Sequence, residues 1–474
     1  MQREKSESGR QRATLTGYPS IDKPWLKYYS EEAINMPLPE KTLYRYLYEN
    51  NKDYLRNIAL NYFGRKITYG ALFENIEKAA KGFSALGVGK GDIVTIMSMH
   101  TPETIYCIYA LNRLGAVAHM VYMTLSEQEI LSTIKTTESK ALIVLSVALE
   151  KINQIFDRLN LDNVIVVSPS DSMNTVMRAG YRLKTRKSKF RKQYIPYGRF
   201  IKMGIGNVKD APYNPNEPAV IVYTSGSTGE PKGVVLGNDN LNAVVHQYQV
   251  SGMQFKRGDT FFNMLPPYLG FGISVGLHLA LALGMQEILW ILPEPTKVAK
   301  AYIDYKPNHF ASAPIVIEEI VKRFGNHLEY IKTFSVGGES PTEESISELN
   351  DMLKKRGSQA KYITGYGLTE TSATICTQMN DVYKIGSLGI PMVCTNIKIM
   401  DTETGKELKY NEVGEMWFAS PNIMQSYYEN EKAKIIWDNK KMLDEIIKKW
   451  MDFVLVGYDE KGKGAGIELL KAME

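Results

Sequence analysis

The chain has 474 residues, 44% apolar and 23% charged, with a net charge of +5 at neutral pH. That length holds two or three domains with cores of their own, and the balance is that of an ordinary soluble globular protein. Its three cysteines, Cys107, Cys376 and Cys394, are too widely spaced for a disulfide framework or a zinc pattern, so a reducing, cytoplasmic setting is expected.

The opening MQREKSESGRQRATLTG lacks the apolar core of a signal peptide and reads as a polar tail over 1–20, with aromatic anchors from Asp22 to Tyr29 marking the start of folded structure. Helical spacing dominates 42–87, closed by Gly87 and interrupted at 58–69 by a hairpin with its turn at Gly64-Arg65. A strand at 92–99 leads to a helix at 101–114, capped by Thr101 with Pro102 in its first turn and ended by Gly115. Further units at 116–122, 126–137, 141–145 and 164–167 give the alternation of a parallel sheet covered by helices.

Residues 178–202 hold ten Lys/Arg and no Asp or Glu, so the rest of the chain sums to −5. A solvated helical face or an insertion is the plainer reading; peripheral contact with an anionic membrane surface is the partner reading. Nucleic acid is not expected, because no aromatics are regularly interleaved with the cations.

A second α/β unit begins near Pro218. The apolar run 218–223 opens into Thr224-Ser-Gly-Ser-Thr-Gly-Glu-Pro-Lys-Gly233 and returns as the apolar run 234–236. Backbone N–H groups freed by Gly226 and Gly229, the hydroxyls of Thr224, Ser225, Ser227 and Thr228, and the ammonium of Lys232 gather donors for phosphate in one short loop. No Walker A string occurs, and the loop joins two strand-like runs instead of opening a helix. A helix follows at 240–248, capped by Asn238 or Asp239, and then the run TFFNML at 260–265 leads into 266–272. The apolar stretch 273–292 is interrupted by His278, Gln286 and Glu287 and split at Gly284, which predicts a buried helix and strand and not a membrane span.

The unbroken T-S-G-S-T-G-x-P-K-G resembles the phosphate loop of the adenylate-forming enzymes: acyl-CoA synthetases, luciferases and peptide-synthetase adenylation domains. FGRKITYGALFENIEKAAKGFSALGVGKGDIVTIM and YALNRLGAVAHMVY follow the same family's first subdomain, and the likeness runs from about Trp25 to Tyr428. It implies an α/β fold: two subdomains with parallel-rich sheets at 21–215 and 216–392, and a small β-rich subdomain from 393 that ends in a truncated hinge remnant without the C-terminal lid.

Three further stretches carry the resemblance. In TFSVGGES, 333–340, Gly337 and Gly338 match the segment that flanks adenine, whereas Glu339 and Ser340 stand where the family often has Ala and Pro. In YITGYGLTET, 362–371, the family pattern implies stacking on the base for Tyr366, contact with the nucleotide for Gly367, the α-phosphate for Thr369, magnesium for Glu370, and substrate contact for Gly365. LPPYLGFG, 265–272, resembles the segment beside the acyl pocket, with Leu269 where a His or aromatic often closes the tunnel and Tyr268, Phe271 and Gly272 as wall candidates. GSLGIP at 386–391 and GEMWFASPNIMQSYY at 414–428 look structural more than catalytic.

The resemblance implies attack of a substrate carboxylate on the α-phosphorus of ATP, loss of pyrophosphate, and acyl transfer to coenzyme A. Thr224, Lys232, Thr369 and Glu370 are the catalytic candidates; the loop residues Ser225, Gly226, Ser227, Thr228 and Gly229, with Gly338, Glu339, Tyr366 and Gly367, are the nucleotide contacts. A fatty acid is the expected substrate. The alternatives are an amino or aryl acid passed to a carrier protein, and a nucleotide- or acyl-binding remnant without turnover.

After Tyr428 the pattern fails. Trp450, Gly457 and Tyr458 keep the register of the family's W-x-x-T-G-D-L-G-Y, but Phe453-Val454-Leu455 replaces T-G-D, and Leu cannot accept from ribose hydroxyls. Truncation near the hinge, a separate polypeptide supplying the C-terminal domain, and degeneration are the three expectations, with truncation first.

Overall fold

The structure, a computed structural model, describes residues 15–184, 189–224, 232–292, 294–337, 341–428 and 455–456. Its first large sheet has eight strands in the spatial order Ser426–Tyr427, Lys232–Gly237, Pro218–Thr224, Val117–Met120, Ile93–Met97, Ala141–Leu145, Val164–Val167 and Tyr194–Pro196. From Pro218–Thr224 onward the neighbours pair in parallel. The first two strands are antiparallel additions at one edge. Every position of Ala141–Leu145 and Val164–Val167 is buried, as expected of parallel strands covered on both faces.

The second sheet runs Tyr362–Ile363, Thr333–Val336, His309–Ser312, Thr260–Asn263, Gln286–Leu289, Ile58–Tyr62 and Arg65–Thr68, parallel except for the final hairpin pair. Two small antiparallel sheets complete the chain. One joins Gly365–Tyr366, Cys376–Thr377 and Ile390–Pro391; the other joins Asn396–Met400, Glu415–Ala419 and Leu455–Val456.

A cut at 215/216 does not coincide with these sheets. The early hairpin Ile58–Thr68 sits in the second sheet, and the later hairpin Pro218–Gly237 sits in the first. Ile96 and Val220 of the first sheet share one apolar cluster with Leu60 and Leu289 of the second, filled from between by helices Tyr69–Ala85 and Pro102–Leu114. The latter helix is buried from Pro102 to Asn112, so its apolar residues run all round it.

Local signals read from the sequence are realised with small shifts. Thr101 Oγ1 accepts from Thr104 N, and Gly115 closes that helix at φ +73°. The hairpin turn lies at Phe63-Gly64, both with positive φ, one residue earlier than expected; this is the left-handed pair that a two-residue hairpin turn requires. Helix Asn238–Gln249 begins sooner than expected, and neither proposed cap acts as one. Asn238 Oδ1 instead accepts from Leu43 N and Asn112 Nδ2, Asp239 accepts from Tyr213, and Asn240 Oδ1 accepts from Gly237 N at the helix start. The stretch 273–292 is a buried helical segment, Gly272–Leu279 wound as a π-helix, followed by the strand Gln286–Leu289.

Candidate active site

The strands flanking the phosphate-loop string form an antiparallel hairpin in which Thr224 is paired with Lys232. Among the string's site residues, Ser225, Gly226, Ser227, Thr228 and Gly229 lie outside the described residues, as do Gly338, Glu339 and Ser340. What is described is the mouth of the loop and its surroundings.

The hairpin is braced from below. His119, on the adjacent strand, meets the Tyr223 hydroxyl through Nε2 at 3.0 Å and Thr95 Oγ1 through Nδ1 at 2.8 Å. Burial drives its pKa down to about 3, so it is a neutral hydrogen-bonding link and not a charge. Tyr122 donates to the Tyr223 carbonyl at 2.9 Å, and its ring lies 4.5 Å from that of Tyr268. Both ends of the residue before Thr224 are thereby fixed.

Facing the hairpin is the short turn Thr369–Thr371, which packs against both of its strands. Leu368 N donates to Thr371 Oγ1 and closes the turn. The buried Glu370 carboxyl has its pKa raised by desolvation, offset in part by a hydrogen bond from Tyr427 and by the charge of Lys232. Tyr427 Oη reaches Glu370 Oε1 at 2.8 Å, while Lys232 Nζ stands 5.5 Å from the centre of the Tyr427 ring.

Tyr427 comes from the 414–428 segment that sequence reasoning set aside as structural. It arrives because Ser426–Tyr427 adds to the hairpin edge, opposite Val235 and Val234, and because Met424 N donates to the Glu370 carbonyl. Asn422 Nδ2 also donates to the carbonyls of Thr371 and Thr374. The segment thus ties strand and turn together. Its one sequence signal is a buried-strand ending, SYY, too short to stand out.

The segment 265–272 meets the turn at Gly270, where a Cβ would stand 2.9 Å from Thr369 Cα, too close for any side chain. Phe271, expected in an acyl-pocket wall, lies against Gly337: a Cβ there would be 3.2 Å from Phe271 Cε1. This ring joins the segment expected beside the acyl group to the one expected beside adenine. Tyr268 and Leu269 are half-buried, and Gly272 is buried as the first residue of the π-helix. Gly365 and Tyr366 pair with Thr377 and Cys376, which holds the Tyr366 ring half-buried beside the cluster that Phe271 and Leu368 also border; Gly367 follows directly. Thr224, Lys232, Thr369, Glu370 and Tyr427 therefore converge, with Gly270 and Phe271 adjoining them.

Among the described residues no group of three or more His, Cys, Asp or Glu could hold a metal by itself. A lone buried carboxylate beside an ammonium suits magnesium that takes its remaining ligands from phosphate oxygens and water. At the far end of the chain only Leu455 and Val456 are described, paired with Trp417 and Met416; the rest of the degenerate W-x-x-T-G-D register lies outside the described residues. No helix among the described residues is long and apolar enough to cross a membrane.

The chain is 24% identical over 434 residues to a long-chain-fatty-acid–CoA ligase of Bacillus subtilis (strain 168), covering 88% of this chain and 76% of that protein. It is 27% identical over 421 residues to probable 4-coumarate–CoA ligase 1 of Dictyostelium discoideum, covering 86% and 74%. The crystal structure of a long-chain-fatty-acid-CoA ligase (FadD1) from Archaeoglobus fulgidus superposes with a TM-score of 0.72 at 21% identity, over 91% of this chain and 82% of that one, and so shares the fold. With the family model described as AMP-binding enzyme matching residues 47–428, most of its length, the chain belongs to the AMP-binding enzyme family.

Proposed function

We propose that the protein activates a carboxylic acid with ATP and passes the acyl group to coenzyme A, and that the acid is a fatty acid. A carboxylate oxygen attacks the α-phosphorus of ATP, pyrophosphate leaves, and the thiol of coenzyme A then attacks the acyl carbon and expels AMP. The chain contributes no covalent nucleophile. It has to hold the triphosphate in line and offset its charge.

The observation that carries this reading is the convergence of Lys232, Glu370 and Tyr427 at the mouth of the T-S-G-S-T-G hairpin. Lys232 and the loop hydroxyls bind the β- and γ-phosphates, and Thr224 and Thr369 meet the α-phosphate. Glu370 holds magnesium, which supplies charge neutralisation on the phosphate oxygens when bound. Tyr366, Gly367, Gly338 and Glu339 border the nucleotide, and Gly365, Tyr268, Phe271 and Gly272 border the acid. An aliphatic acid is supported by Leu269, a flexible apolar side chain where relatives of this fold often carry a His or aromatic, and by the apolar helix that follows it.

Pyrophosphate exchange across a panel of acids tests the proposal. Exchange with fatty acids of some chain length, followed by thioester formation with coenzyme A, is expected. Exchange with amino acids alone, or ATP binding with no exchange for any acid, overturns it.

A further inference from the structure

Asn263 and Glu287 are fully buried polar side chains outside the group that converges on the hairpin. They stand on neighbouring parallel strands of the second sheet, Thr260–Asn263 and Gln286–Leu289, where Glu287 is opposite Phe261. Phe262 and Ile288 belong to the apolar cluster on one face of that sheet, so strand alternation turns Asn263 and Glu287 to the other. There Asn263 Nδ2 donates to Glu287 Oε2 at 2.9 Å and to the carbonyl of Gly276, while Asn263 Oδ1 accepts from Leu265 N at 3.1 Å. Desolvation raises the pKa of Glu287 well above the usual carboxylate range, offset in part by the bond from Asn263. Its other oxygen, Oε1, has no hydrogen-bond partner among the described residues. Glu287 is therefore a neutral acid that offers Asn263 an acceptor.

One amide thus takes hold of both ends of the run 265–276. This run carries Tyr268 and Phe271, and it meets the site twice, at Gly270 against Thr369 and at Phe271 against Gly337. Its second half enters the π-helix Gly272–Leu279, a rare winding that recurs at functional sites. The far end of that helix is anchored separately: His278 meets Tyr109 Oη at 3.0 Å through Nδ1 and Asn242 Oδ1 at 2.8 Å through Nε2. Apolar packing is non-directional and does not by itself fix where such a run sits. The bonds of Asn263 do. Glu287 in turn sets the amide the right way round, because an acceptor on that side requires the NH2 group to face it and leaves the oxygen for Leu265 N.

We propose that Asn263 and Glu287 are positioning residues for the acid: Glu287 orients the Asn263 amide, and the amide holds the run with Tyr268 and Phe271 in place against Thr369. The proposal rests on the ligase reading and deepens it, since 265–272 borders the acid under that reading. The nucleotide is assigned to the hairpin and to 366–371, and neither Asn263 nor Glu287 bonds to these. Loss of the pair therefore acts on use of the acid and spares use of ATP. A buried polar pair kept for stability alone would behave otherwise, because apolar residues of like shape can replace both partners at little cost.

Pyrophosphate exchange, titrated with the acid and separately with ATP, tests it. Asn263→Ala and Glu287→Leu are expected to raise the acid KM about tenfold or more and to leave the ATP KM within about twofold, given how steeply attack depends on small misplacements. Glu287→Gln keeps a neutral acceptor and is expected to rescue the acid KM. Asn263→Leu with Glu287→Met removes both partners, so it carries the test where a single variant fails to fold. It is expected to regain the wild-type denaturation midpoint and to keep the raised acid KM. An acid KM that recovers with stability in this double variant makes the pair structural and overturns the proposal. So do equal rises in both KM values, or Glu287→Gln as impaired as Glu287→Leu. Wild-type exchange with no acid at all would count against the ligase reading. Hydrogen exchange of the 265–276 amides, which needs no substrate, then decides: faster exchange in the double variant at equal stability is expected, and unchanged exchange overturns the hold on this run.

Discussion

Tyr427 donates its hydroxyl hydrogen to Glu370 Oε1 at 2.8 Å, across the junction of the hairpin-edge strand and the Thr369–Thr371 turn. Burial raises the pKa of Glu370, and this bond together with the charge of Lys232 pulls it back toward the carboxylate that a metal needs. Tyr427 is therefore a positioning residue. Tyr427→Phe keeps the ring beneath Lys232 and removes only the hydrogen bond, so the Glu370 pKa rises further. The expected result is a loss of about ten- to hundredfold in pyrophosphate exchange at limiting magnesium, from the ~1.5–3 kcal/mol of a hydrogen bond to a charged group. The acid limb of the pH profile should move to higher pH, and excess magnesium should restore much of the rate. An unmoved acid limb would show that the phenol only fills space.

Lys232 stands half-buried at the first position of its strand, opposite Thr224, with its ammonium toward Tyr427 and Glu370. Lys232→Ala removes the proposed phosphate ligand from a loop mouth and takes nothing from either core. ATP affinity by calorimetry should fall about tenfold or more, as for loss of a charge-assisted contact, while the denaturation midpoint stays close to wild type. Unchanged nucleotide affinity would contradict the role given to the ammonium.

Tyr122 holds the carbonyl of Tyr223 at 2.9 Å, one residue before Thr224, and its ring packs beside Tyr268. Tyr122→Phe preserves the ring contact and frees that carbonyl. A stability loss of about 1 kcal/mol is expected for one hydrogen bond, and the KM for ATP should rise severalfold because the strand end that aims Thr224 is looser. A KM that does not change while stability falls would confine Tyr122 to the core.

The alternation of helices and strands was legible because parallel strands buried on both faces must be apolar throughout, as ALIVL and VIVV are. The hairpin around T-S-G-S-T-G was legible for the same reason: apolar runs bound it on either side. Which sheet each hairpin joins was not. That choice depends on cross-sheet packing, such as Leu60 with Leu289 and Ile96 with Val220 in one cluster, and no local pattern encodes it. The Glu370 neighbourhood was half legible: the turn announced itself, but Tyr427 reaches it over 57 positions by strand pairing. Asn238 illustrates the converse, a good cap by type that tertiary contacts with Leu43 and Asn112 take for another purpose.

Glu103 offers a test of the core rather than of the site. It lies fully buried in the first turn of helix Pro102–Leu114, accepts from Ser172 Oγ, and burial pushes its pKa up to about 7 from an ordinary 4.5. The folded state therefore keeps the proton over a range where the unfolded chain has released it. The stability this gives is complete below pH 4.5 and is lost as the pH rises through about 7. Glu103→Gln keeps an acceptor for Ser172 and cannot ionise. Its stability to urea should match wild type at about pH 4.5 and below and exceed it in mild alkali, by up to about 3 kcal/mol for a shift of that size. A variant less stable than wild type by the same amount at both pH values would mean that the carboxyl is ionised in the fold and held by partners, and the burial argument for this helix would fail.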